Sequence, residues 1–160
     1  MVKIESKQNT FVKNSKFVRF VIAGVLATLA FNAVMYTDIV ITGVPLDIAA
    51  LMGELTVGES EFTQSIGHII HLVNGVGLAL LFGYVVLPLS KRIIKLPVII
   101  YGVIFGVIEV IIAVWFGMLP SLGAGIAGLN IAPEVPLMTL VRHIVFGLVL
   151  GLVISWRKRW

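Results

Sequence analysis

The chain has 160 residues, of which 59% are hydrophobic and 12% charged. That is about half the charged share of an ordinary soluble domain and excludes a water-soluble globule. The mean hydropathy of +1.08, with charge confined to short blocks between long apolar runs, identifies an integral membrane protein with no room for a soluble catalytic domain. With no cysteine, disulfides, thiolate metal ligands, iron–sulfur clusters, c-type haem and cysteine nucleophiles are excluded. The net charge of +4 lies beside the spans, where topology and anionic membrane lipid explain it without nucleic acid.

Residues 1–16 are polar and basic, with Lys3, Lys7, Lys13 and Lys16 and no apolar periodicity, and read as a short, mobile cytoplasmic arm. The first span, 17–41, is too long for the core of a signal peptide and is expected to be retained as an anchor. Residues 42–64 read as a loop carrying a short interfacial helix near 46–54. Asp47 is placed to cap that helix, because a carboxylate there accepts from the free N–H groups of the first turn. The second span, 65–87, is expected to stop at Pro88 and the third, 96–118, at Pro120, since proline disfavours helix continuation. A glycine-rich loop, 119–135, leads to the fourth span, 136–156, which opens at Pro136 where the missing N–H costs nothing. Residues 157–160 form a basic tail. The fold expected is therefore all-α, a four-helix transmembrane bundle with an interfacial helix in its first outer loop.

Eleven of the 12 Lys and Arg residues fall in the N-terminal arm, counting Arg19 at the head of span one, in the 91–95 loop or in the C-terminal tail, which places those segments in the cytoplasm. The loops 42–64 and 119–135 hold no Lys or Arg and carry Asp47, Glu54, Glu59, Glu61 and Glu134, so they face outward.

An ionisable side chain in hydrocarbon is costly and asks for a partner or a cavity. At about 100° per residue, His68 and His71 lie on the same side of the second span as Gly75 and Ala79. Glu109 borders a stripe of Gly102, Gly106, Ala113 and Gly117 in the third span. His143 heads a ridge with Gly147, Gly151 and Ser155 in the fourth, and Asp38 shares a stripe with Gly24, Thr28, Phe31 and Met35 in the first. All five ionisable groups belong to the outer third of the membrane, whereas the inner half is apolar. Asn74 and Arg142 lie off these faces, toward a neighbouring helix, headgroups or a partner, and with Asp47 are assigned supporting roles.

Several readings suit this cluster. Glu109 and the histidines can form a hydrogen-bonded pin that fixes helix register and binds nothing. A ligand centre is the sharper alternative. Haem b would take one histidine of span two and His143 as axial ligands, with Gly67, Gly75, Gly147 and Gly151 leaving room for a porphyrin. Zn or Cu would instead take His68, His71 and His143 with Glu109 and Asp38. Proton or ion translocation would use Glu109 and the imidazoles, but only Thr28, Asn32, Tyr84, Tyr101 and Ser155 offer polar lining further in. A subunit of a larger complex, or a homo-oligomer, would use the glycine ridges as contact faces. Nucleophile elbows, phosphate loops and zinc-protease motifs are missing, so the sequence supports no enzyme chemistry of its own.

The pattern of Gly24 with Ala27-Thr28, Pro45-Leu46-Asp47-Ile48, Gly53, Gly67-His68, His71, Gly75, Tyr84, Gly102, Gly106, Pro120, His143, Phe146-Gly147 and Leu150-Gly151 resembles small four-span prokaryotic membrane proteins distantly related to the YagU-like inner-membrane proteins. The resemblance covers roughly residues 20–155 and implies a four-helix membrane fold with a polar site near the outer face. It implies no activity, and Glu109 has no counterpart in it.

Overall fold

The computed structural model describes residues 2–156, with side chains from Lys16 onward. The tail 157–160 and the side chains of residues 1–15 lie outside the described residues. Five helices follow one another: α1 Val2–Thr42, α2 Ile48–Val57, α3 Thr63–Ile93, α4 Val98–Ser121 and α5 Val135–Ser155. No strand occurs among the described residues. The four long helices are apolar enough to cross a bilayer, and the chain is an all-helical, multi-pass membrane protein. Their starts and ends agree with the expected spans within a few residues, with three exceptions.

First, α1 reaches back to Val2, so the basic arm continues the helix instead of forming an irregular segment. The other two exceptions are the prolines expected to stop spans two and three. Helix α3 runs on through Pro88 to Ile93, and α4 runs on through Pro120 to Ser121. In both, a stretch of π-helix ends two residues before the proline: Phe82–Val86 in α3 and Val110–Met118 in α4. The Leu87 N–H reaches back five residues to the Phe82 carbonyl, and the Leu119 N–H to that of Val114. This wide turn relieves the clash and the lost hydrogen bond that otherwise make proline a stop.

The π stretch of α4 has a second effect. By adding residues to each turn, it rotates everything after Glu109, so Val110 and Val114 are buried while Ala113 and Gly117 face outward. The expected stripe of Gly102, Gly106, Ala113 and Gly117 is therefore only half present.

Helix α5 is the most enclosed, packed between α4 and α1; α1 in turn packs on α3, and α2 folds over the start of α3. Glycines set these approaches. Gly102 and Gly106 lie on the backbone of Gly147, Gly151 and His143; Gly24 meets Val76 and Ala79; Gly75 meets Thr28; and Gly67 and Gly53 pack on Ala49 and Thr63. A side chain at any of these positions would collide with a neighbour. The glycine ridges that a partner was expected to use as contact faces are thus used within the chain and supply no argument for one. Gly77 by contrast has nothing within 4 Å of an added Cβ, and the outward-facing Gly117 meets only the Ile112 carbonyl of its own helix.

The two ends of the bundle differ. The half near Lys91, Arg92 and Lys95 is filled by Phe20, Phe82, Phe105, Leu150 and Ile154, whereas buried Arg142, His143 and His71 lie toward the end bearing α2.

Candidate functional site

Near the α2 end the polar side chains form three separate groups. The first joins α1, α5 and the loop before α2. Arg142 is fully buried; its Nε and Nη2 donate to the two carboxylate oxygens of Asp38 at 2.7 and 2.5 Å, and its Nη1 donates to the Leu46 carbonyl at 2.9 Å. A guanidinium and a carboxylate paired in this two-pronged way cancel each other's charge where water is scarce. Asp38 therefore does not join the histidines. Arg142 is no peripheral support either, because α5 is enclosed on several sides and a residue off its glycine ridge still meets α1. The signal for it in the sequence was its being the one basic residue outside the three basic segments.

The second group lies at the mouth of the bundle. Gln64 Nε2 donates to Tyr36 Oη at 2.9 Å and to Asp47 Oδ2 at 3.0 Å. The Tyr36 hydroxyl in turn shares a hydrogen bond of 2.9 Å with His68 Nε2, its direction set by the imidazole tautomer. Asp47 caps α2 as expected, Oδ1 accepting from the Ala50 N–H at 3.0 Å. Burial pushes its carboxyl up, but the Ala50 N–H and the Gln64 amide outweigh this and leave it below the ordinary carboxylate value. The cap's contribution is thus present above the usual carboxylate pKa of about 4 and is lost as pH falls through the lowered value. Asp47→Ala is expected to cost about 1 kcal/mol of local stability, while Asp47→Asn keeps most of it. Hydrogen exchange at Ala50 checks this: faster exchange in the alanine variant alone agrees, and equal rates in all three proteins contradict it.

The third group joins α4 and α5. His143 Nδ1 lies 2.6 Å from the Thr139 carbonyl and its Nε2 2.8 Å from Glu109 Oε2. Trp115 Nε1 donates to Thr139 Oγ1 at 2.9 Å, fixing the turn that holds the imidazole. A carbonyl only accepts, so His143 Nδ1 carries hydrogen. The hydrogen bond at Nε2 then needs a further proton, either on the imidazole or on Glu109. Without it, a ring lone pair would face a carboxylate.

His71 is buried between these groups, its ring edge-on to Phe31 with centroids 4.9 Å apart. The other edge-on neighbour of Phe31 is His143, at 5.0 Å. Asn74, given a supporting role from the sequence, is exposed on the outside of α3 and touches none of the three groups.

This packing does not fit a haem held by His143 and a histidine of α3. Phe31 fills the space between His71 and His143, and Gly67, Gly75, Gly147 and Gly151 are occupied by neighbouring helices. Among the described residues no three His, Asp or Glu side chains are grouped closely enough to hold a metal ion. His68 is held by Tyr36 and His143 by Glu109, while His71 packs on Phe31.

The fold and these groups define a small multi-pass helical membrane protein with a charge-balanced polar interior at one end. The chain belongs to a family of unknown function, DUF6789, whose pattern matches residues 15–159. No curated protein and no solved structure matches it.

Proposed function

We propose that this is a proton-binding membrane protein, with the His143–Glu109 pair as its site and the α2 end facing outward. The carrying observation is the 2.8 Å contact of Nε2 with Oε2 while Nδ1 is committed to a carbonyl, a geometry that requires one bound proton. Loss of that proton sets a lone pair against a carboxylate and loosens α4 from α5. The π stretch starting at Val110 gives α4 a compliant segment next to Glu109. The charged and titratable neighbours are His71 from α3 and the Asp38–Arg142 pair from α1 and α5; Asp47, beside α2, is committed to its cap and Gln64.

The apolar half supports a site that holds a proton in place of a channel that passes it, because the buried Tyr101 of that core has its hydroxyl committed to the Ile94 carbonyl and the Leu96 N–H. Basic segments at the far end support cytoplasmic termini. The kinship with YagU-like prokaryotic proteins rests on the short residue pattern alone. A role as a subunit, alone or with copies of itself, agrees with the lack of any enzyme constellation.

Glu109→Gln keeps the shape and hydrogen-bonding capacity of the side chain and removes its ionisation. In lipid nanodiscs, titration from alkaline to acid pH is expected to load one proton fewer per chain in E109Q than in the wild type, with thermal stability retained. Vesicles containing either protein are expected to hold a pH gradient like empty ones. Equal proton uptake by the two proteins, or a gradient dissipated by the wild type, contradicts the proposal.

A further inference from the structure

Two buried polar atoms near the α2 end have no hydrogen-bond partner: Asn32 Oδ1 on α1 and His71 Nδ1 on α3. His71 is 7% exposed, so solvent at the surface does not satisfy it. Leaving a buried polar atom unpaired costs about 1–3 kcal/mol, and native interiors rarely do so without a reason.

The register of the two antiparallel helices sets these two residues at one level. A Cβ at Gly24 would lie 2.9 Å from that of Ala79, Thr28 lies against Gly75, and Tyr36 bonds His68. Each four-residue step out along α1 is matched by about four residues back along α3, which sets Asn32 opposite His71. The packing of Phe31 on the His71 ring agrees with that level.

We infer that Asn32 and His71 form a binding site for one small hydrogen-bonding molecule of the size and chemistry of water. An amide carbonyl accepts only. The molecule must therefore donate one hydrogen to Asn32 Oδ1, and its other bond goes to His71 Nδ1, as donor or acceptor according to the tautomer. Water, with two donors and two acceptors, meets both cases, and ordered water in protein interiors serves this purpose. The site lies between the Tyr36–His68 group at the mouth and the His143–Glu109 pair. It makes His71 the connecting group between them, a role that rests on the proton-binding reading, although the site itself does not. Asn32 is a positioning residue here, one that sequence reasoning named only as polar lining.

Magnetisation transfer from water protons to the His71 ring, measured by solid-state NMR in lipid bilayers, tests this. The wild type is expected to show transfer to His71 comparable with that to the half-buried His68. Asn32→Leu is expected to reduce it at His71 to the level of the Phe31 ring and leave His68 unchanged. Asn32→Asp keeps an acceptor and is expected to keep the transfer, which separates loss of the site from loss of the fold. A direct correlation between His71 Nδ1–H and the Asn32 carbonyl without water transfer overturns the inference, as does transfer unchanged in Asn32→Leu. The His143 signals in the same spectra report on the proton pair, so the two ideas fail separately.

Discussion

Replacing Arg142 by methionine is expected to destabilise the bundle by about 3–5 kcal/mol, because it strands the Asp38 carboxylate against α5 without a counter-charge. The loss has three parts acting together. The guanidinium is fully buried, both its prongs are on Asp38, and its remaining donor holds Leu46, which positions the start of α2. Asp38→Asn combined with Arg142→Met removes both charges and is expected to recover most of that stability, since a neutral pair of similar volume replaces a costly ionic one. Thermal unfolding in mild detergent reads this directly. A double variant as unstable as Arg142→Met alone would show that the ion pair is not what holds α1 to α5.

Gly147→Ala is expected to cost about 3 kcal/mol, a large effect for one methyl group. A Cβ at 147 would run into the Gly102 carbonyl and the Val103 Cα, which are backbone atoms unable to rotate away. The two helices must separate, and the nearby His143–Glu109 contact should lengthen with them. Gly77→Ala is the control, because nothing lies within 4 Å of a Cβ there and alanine favours the helix. Thermal midpoints that fall for Gly147→Ala and hold or rise for Gly77→Ala fit this packing. Equal shifts contradict it.

These two positions also show what the sequence makes legible. The four spans, the α2 cap at Asp47 and the packing stripe of α1 follow from local pattern, because hydrophobic length and helical period are properties of a single helix. The ridge of His143, Gly147 and Gly151 was visible for the same reason. The burial of Arg142 does not follow from a single glycine face, because α5 has neighbours on several sides. Ala113 and Gly117 leave the stripe because a π stretch alters the number of residues per turn, and Pro120 signals an interruption but not its form. The convergence of three histidines failed on tertiary detail. Phe31 stands between two of the rings, and Tyr36 and Gln64, neither singled out from the sequence, bind the third. No single-helix calculation contains the relative register of α1 and α3, which is also what brings Asn32 opposite His71.

The bound proton of the His143–Glu109 pair is the central claim, and nitrogen NMR of His143 combined with infrared detection of the Glu109 carboxyl, recorded across pH in lipid bilayers, tests it most directly. The account predicts that while α4 and α5 are in contact, His143 Nδ1 carries hydrogen and one further proton resides on Nε2 or on Glu109, and that both signatures vanish in a single transition as that proton leaves. A neutral His143 with bare Nε2 beside an ionised Glu109, the contact still intact, would contradict it.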